Sequence, residues 1–377
     1  MVVAPLYHDK NMKILIVNSV AGIRSTGRIV TDIAEKFIDN GDECKIAYGR
    51  EFVPEKYQSI CYKIGTKWDK YVNASIARIF DNEGYNAKKA TKKFIEWANN
   101  YNPDILWLHN LHGYYINIEI LFDWIKSRPN MEVRWTLHDC WAFTGHCAYF
   151  TAAQCLKWEE GCFNCCQKRG YPQSIFRDNC SENYIRKRKA FCGVKFLTLI
   201  TPSNWLAELV KRSFLNEYKV EVVHNTIDET IFRPTPSDFR LKYGLEDKKI
   251  LLGVASIWDK RKGLEDFLEL NQMLDDSWKI VLVGVNEKQI KYIPKDIVCI
   301  KRTNSSTELA EIYTAADVFL NLTYEDNYPT VNLEAQACGT PCITYNTGGS
   351  VESVPQKNIV EQHDLKKVVS LIRDLVD

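Results

Sequence analysis

Two carboxylates eight positions apart, Asp326 and Glu334, flank the run Asn327-Tyr328-Pro329-Thr330-Val331 inside the segment EDNYPTVNLEAQACGTP at 325–341. Residues 316–322 ahead of them read as a buried strand. A helical pattern then begins at Thr330 and is stopped by Gly339-Thr340-Pro341 before an apolar strand at 342–345. A strand, a turn and a helix start in that order bring backbone N–H groups and the positive end of a helix dipole to residues 327–331, a cradle for a diphosphate. Acids beside an anion are useful there only if they face hydroxyls, so the pattern points to a nucleoside-diphosphate sugar. The plain alternative is a surface turn followed by an ordinary amphipathic helix.

Cations and histidines supply the complementary chemistry. Arg261 and Lys262, in Trp258-Asp-Lys-Arg-Lys-Gly263, fall just past an expected strand at 250–254. Charge-assisted bonds from such groups offset the charge that develops on a departing diphosphate; the alternative is an exposed basic loop. Arg302, at another strand end, can frame a base, although nothing near it distinguishes uridine from guanosine. His109, His112 and His138 sit at or just beyond expected strand ends, the rim at which open parallel sheets bind ligands. Ser25-Thr26-Gly27-Arg28 opens the first helix and is either an N-cap or a seat for an acceptor phosphate or sugar.

A third set is sulfur. Cys147, Cys155, Cys162 and Cys165, separated by seven, six and two residues, suit a structural tetrahedral zinc that ties down an insertion at about 139–192. That insertion reads as too polar to form a core of its own. A disulfide pair, a redox CxxC and unligated thiols are the other readings, and Cys166 competes as a ligand. Four thiolates would leave no open position on the metal, so no catalytic metal is expected. Arg186-Lys187-Arg188-Lys189 reads as a basic helical face that is simply solvated or that meets a membrane or an acceptor diphosphate.

Elements to position these groups recur along the chain. Strands are expected at 13–18, 44–48, 104–109, 133–138, 195–200 and 220–223, then at 250–254, 279–283, 298–301, 318–322 and 342–345, with helices between. That alternation predicts α/β architecture with doubly wound parallel sheets. The first strand-helix loop, residues 19–27, lacks GxGxxG, which argues against a dinucleotide site. At 377 residues the chain fits two domains, 1–227 and 228–377, joined by a Pro-bearing linker at 229–247. Apolar and charged fractions of 45% and 26% fit a soluble globular protein, and no apolar run is long enough to span a bilayer. The N-terminal stretch lacks the plan of a secretory signal. Thirteen cysteines without one imply a reducing cytoplasm. Charge is uneven: 31 Lys/Arg against 24 Asp/Glu up to residue 225 leave the first part at +7 and the rest at −6. A basic first domain favours anionic lipid or a diphosphate-linked acceptor, with nucleic acid not among the expected partners.

The 325–341 segment closely resembles the acidic-x7-Glu signature of glycosyltransferase family 4. With STGRI, LHNLHGYYxN, TLHDCWAFTGHC, PSxWL and RKGLxDF, the resemblance extends over nearly the whole chain, to the colanic-acid and capsular-polysaccharide subgroup. It implies a GT-B fold, two Rossmann-like domains facing a cleft, and retaining hexosyl transfer from a UDP- or GDP-linked sugar to a growing, lipid-diphosphate-linked capsular or exopolysaccharide acceptor. It also implies a cytoplasmic enzyme peripheral to the inner face of the membrane. By the resemblance Asp326 binds the transferred hexose, Glu334 the ribose, and His138 lies beside the donor sugar. The sequence departs from the family at Ser256, where an arginine is usual and for which Arg261 is the available substitute, and at Thr226, where glycine is usual. Two rival classes are a sugar-nucleotide epimerase of the same architecture and a non-catalytic zinc-bearing scaffold.

Overall fold

The computed structural model describes residues 11–376, and the chain divides into two compact units after His224. The expectation about an export signal falls largely on residues 1–10 and lies outside the described residues.

The first unit is built on β1 (Lys13–Asn18), β2 (Glu43–Tyr48), β3 (Cys61–Lys63), β4 (Ile105–Leu108), β5 (Glu132–Thr136), β6 (Leu197–Thr201) and β7 (Lys219–Val222). They form one sheet in the order β3-β2-β1-β4-β5-β6-β7, and every pairing is parallel. Side chains alternate between faces, so Leu15 and Val17 enter one core with Leu106 and Leu108, while Ile14 and Ile16 enter another with Ile46 and Trp107. Both faces being covered explains why the strands read as continuous apolar runs.

The second unit repeats the plan with β8 (Lys249–Val254), β9 (Trp278–Val283), β10 (Val298–Ile300), β11 (Val318–Asn321), β12 (Cys342–Tyr345) and β13 (Ile359–Val360). Their order is β10-β9-β8-β11-β12-β13, again parallel throughout. Leu251, Leu282 and Leu320 fill one core and Leu252, Val283 and Phe319 the other. The order reverses between β8 and β11, and the loops leaving the carboxyl ends of that pair are where an open parallel sheet binds its ligand.

Several expectations need correction. β3 and β13 were not foreseen, since three and two residues carry no readable period. The first helix, Arg24–Asp39, starts before Ser25, with Ile23 at its N-cap and no side-chain cap bond. Ser25 and Thr26 therefore lie within its first turn and do not cap it. The 229–247 stretch holds a short helix, Phe239–Tyr243. The cysteine-bearing insertion is not too polar to pack: Trp158 lies 5.2 Å from Phe143 and 5.0 Å from Phe150, centroid to centroid, and all three join the core of the first unit. Nor is 186–189 one solvated basic face. Arg186 makes a two-pronged pair with Glu119. Lys187 is buried, donating to the carbonyls of Trp141 and Thr144 at 2.7 and 3.0 Å, and burial brings its ammonium down to about 7. Only Arg188 and Lys189 of that run are exposed.

Candidate functional site

The loop after β8 is shaped by Asp259, whose carboxylate accepts the Lys262 N–H at 3.0 Å and so caps the short turn Lys260–Lys262. The turn ends at Gly263 with φ +70°, and a Cβ there would stand 2.0 Å from the Leu322 carbonyl oxygen. Only glycine allows the loop to press so closely on the end of β11. The two loops are then laced together. Tyr324 N–H donates to the Arg261 carbonyl at 2.8 Å, and Arg261 Nη1 donates to the Glu325 carbonyl at 2.8 Å.

Lacing the loops brings Lys262 Nζ to 2.5 Å from Asp326 Oδ2, with the two side chains only 17% and 15% exposed. Burial pushes the Asp326 carboxyl up, but Lys262 and Arg261 outweigh it and hold the group below its ordinary value. A carboxylate whose folded value lies below its unfolded one stabilises the fold fully above the unfolded value, and that contribution is lost as pH falls through the folded value. Asp326 Oδ1 also accepts the Asn327 N–H at 2.9 Å. Its carbonyl accepts Gly349 N–H at 3.2 Å, beside Gly348 at φ +50°. Tyr328 is fixed through its carbonyl by Asn225 Nδ2 at 2.9 Å.

The helix Thr330–Ala337 follows directly. Pro329 at its N-cap is extended and offers no side-chain cap bond, and the first turn carries no acidic residue, so the positive end of the dipole is not offset from within the helix. A buried polar network fixes the helix on the sheet: Asn332 Nδ2 donates to Ser353 Oγ at 2.8 Å and Asn332 Oδ1 accepts from Asn321 Nδ2 at 2.8 Å. Glu334 is 2% exposed, and its Oε2 accepts the Tyr313 hydroxyl at 3.1 Å. Arg302 stands exposed just past β10, two strands away from β8. The second unit thus brings together Arg261, Lys262, Asp326 and residues 327–331. Sequence reasoning missed Asp259, Tyr313 and Gly348, although Gly348-Gly349 is a visible turn signal.

In the first unit, His109 Nδ1 and His138 Nε2 are 2.9 Å apart, with rings stacked at 5.2 Å. Burial, reinforced by His138, holds His109 well below the ordinary imidazole value; burial likewise brings His138 down to about 4. Both rings are therefore neutral at neutral pH. His112 is engaged elsewhere, with Nε2 2.8 Å from Asp139 Oδ2 and Nδ1 3.0 Å from the Tyr171 hydroxyl. The three rim histidines are thus one mutually bonded pair and one ring bound to a carboxylate. Because the folded His138 value lies below the unfolded one, the unfolded chain binds more protons between about pH 6.5 and 4, and stability must fall as pH drops through that window. His138→Gln should flatten part of this slope in thermal melts followed from pH 7 to 4. An unchanged slope would assign it to other groups.

Zinc is not shown at the cysteines. Cys165 is hydrogen-bonded to Cys147 and Cys180, and Cys166 to Cys155, so the thiols contact one another and Cys180 joins the four named from the sequence. Among the described residues no group of three or more His, Cys, Asp and Glu side chains could hold a metal ion. The aromatic core of the insertion supplies the cohesion that its expected polarity seemed to require of a metal.

Comparison with known proteins gives the geometry a context. Residues 237–377, which include β8 to β13, match the family model for glycosyl transferases group 1. The chain is 22% identical over 361 residues to the colanic acid biosynthesis glycosyl transferase WcaC of Escherichia coli K12, covering 90% of this chain and 85% of that one. Among solved structures, sucrose-phosphate synthase from Thermosynechococcus elongatus superposes with a TM-score of 0.67 at 14% identity, covering 97% and 89% of the two chains. Anabaena HepE in complex with UDP and glucose gives a TM-score of 0.65 at 12% identity, covering 97% and 90%. These likenesses establish the fold.

Proposed function

Starting from a chain of GT-B fold that carries a glycosyl transferases group 1 domain, we propose that it transfers a hexose, with retention, from a UDP- or GDP-linked sugar to a growing, lipid-diphosphate-linked capsular or exopolysaccharide unit. The observation that carries the reading is the Lys262–Asp326 pair at the β8/β11 switch point, ahead of a helix without a side-chain cap. Lys262, Arg261 and the amides at 327–331 take the charge of the departing diphosphate. Asp326 accepts hydrogen bonds from hydroxyls of the transferred sugar, and Glu334 serves the ribose. Arg302 serves the base. His138 contributes to the same sugar, and Ser25, Thr26, Gly27, Arg28, His109 and His112 to the acceptor. With no candidate covalent nucleophile among these groups, the leaving phosphate itself assists deprotonation of the acceptor hydroxyl on the same face. Anabaena HepE is solved in complex with UDP and glucose, which supports the choice of donor class. The enzyme works in the cytoplasm, peripherally at the inner face of the membrane.

A thermal-shift panel of nucleoside-diphosphate sugars, followed by mass spectrometry of the product, tests the reading; no stabilisation by any donor overturns it. Two variants should separate ground-state from transition-state contacts. Glu334→Gln is expected to weaken donor binding several-fold with turnover at saturation little changed. Asp326→Asn should mainly lower turnover, because sugar-orienting contacts strengthen as the bond breaks. Wild-type kinetics in both variants would remove the assignment. An acid-side loss of stability that disappears in Asp326→Asn would verify the sign of the Asp326 shift.

A further inference from the structure

The helix Lys67–Phe80 in the first unit is turned inside out. The face toward the protein carries Asn73, Ala74 and Ala77, the first of them fixed by a bond from its Nδ2 to the Tyr114 carbonyl at 3.1 Å. Its solvent face carries Trp68, Tyr71, Val72 and Ile79, spaced for one stripe, with Trp68 78% exposed. The stripe does not end with the helix. Ile175 N–H donates to the Arg78 carbonyl at 2.7 Å, and Arg177 N–H to that of Ile79 at 3.3 Å. These bonds bring exposed Ile175 and Phe176, the latter 70% exposed, alongside Phe80.

Cations border the rings. Lys70 Nζ lies 4.7 Å from the Tyr71 ring centroid and the Arg177 guanidinium 5.3 Å from that of Phe80. Lys168 Nζ is held by the Phe176 carbonyl at 3.3 Å, and Lys67 and Arg78 are exposed on the helix. The two nearby acids are exposed but already hydrogen-bonded within the protein: Asp69 closes the capping box with Thr66, and Asp178 accepts from the backbone of Cys165 and Cys180, while five cations border the rings.

We propose that this surface docks on an anionic lipid bilayer, with Trp68 and Phe176 entering the boundary between headgroups and acyl chains and the lysines and arginines meeting the headgroups. An exposed apolar stripe of this extent marks an interaction site. Aromatic side chains ringed by cations match the amphipathic interface of a membrane. A second copy of the chain fits less well, because a two-fold contact would set the same cations against themselves. The proposal gives a surface to the membrane contact of the preceding reading and rests on it for its purpose, but vesicle binding is measured without donor or acceptor, so either can fail alone.

The test is co-flotation of the full chain with phosphatidylglycerol-containing vesicles and with pure phosphatidylcholine vesicles, for the wild type, Trp68→Ser/Phe176→Ser and Lys67→Glu/Lys70→Glu. Wild-type protein should bind the anionic vesicles in a salt-sensitive way, and each double variant should lose at least about tenfold in affinity. Melting temperatures and donor-induced thermal shifts should be unchanged, since all four side chains project from the surface. Failure of the wild type to bind, or undiminished binding by the Trp68→Ser/Phe176→Ser variant, would overturn the proposal. So would a wild-type dimer that this variant dissociates while vesicle binding persists.

Discussion

Lys262→Ala is expected to lower turnover by about two orders of magnitude, the scale seen when one preorganised donor to a developing anion is removed. The ammonium has three donors, and Asp326 takes one of them at 2.5 Å. In the proposed reaction the remainder serve the diphosphate, on a turn whose position is fixed by Asp259 and Gly263. Removing the side chain takes away that charge and leaves Asp326 with the Asn327 N–H and the charge of Arg261. Donor affinity should therefore fall less than turnover, and Lys262→Ala/Asp326→Asn should be far from additive, because the two groups act as a unit. Steady-state rates for both singles and the double measure this directly. Turnover within a factor of two of wild type in Lys262→Ala would move the leaving group elsewhere.

Gly348→Ala should be comparably damaging without touching a reacting atom. At φ +50° a Cβ would stand 2.1 Å from the Asp326 carbonyl oxygen, so either the 324–329 loop or the 347–350 turn must move. Left-handed strain alone costs about 1–3 kcal/mol, and a displacement near 1 Å at a sugar-positioning carboxylate is worth roughly a hundredfold in rate. Gly193→Ala is the control: its φ is +80°, but nothing lies within 4 Å of its Cβ position, so it should lower the melting temperature and spare turnover. Equal kinetic effects from the two alanines would show that strain, not collision with the Asp326 loop, is responsible.

The sheets were legible because the central strands are buried on both faces, so the apolar runs at 13–18 and 342–345 coincide with β1 and β12. Strand alternation with helices was enough for the fold class. The carboxylate, the lysine and the helix start were legible as a motif, and the switch point between β8 and β11 explains why residues 64 positions apart meet. What the sequence hid were effects of three-dimensional neighbours. Lys187 looks like one cation of four, yet it lies over the Trp141 ring at 3.5 Å, inside the protein. The cysteine spacing drew attention to four thiols, and it gave no sign that Cys180, fifteen positions past Cys165, bonds to the same sulfur as Cys147. The outward stripe of Lys67–Phe80 has an ordinary helical period, and period alone does not say which side faces water.

The stacked histidines have a consequence in tautomers. One hydrogen serves the contact between His109 Nδ1 and His138 Nε2, and the far nitrogen of His109, Nε2, is buried without a partner. An orphaned N–H in the interior is costlier than a bare lone pair, so the shared hydrogen belongs to His109 Nδ1. His138 Nε2 is then the acceptor, and the single N–H of that neutral ring resides on Nδ1. In this arrangement His138 presents Nδ1 as an N–H donor, and His109 sets that choice from behind. Nitrogen-15 spectra of the two rings should show His138 as the Nδ1–H tautomer, and His109→Phe should release it to adopt either form.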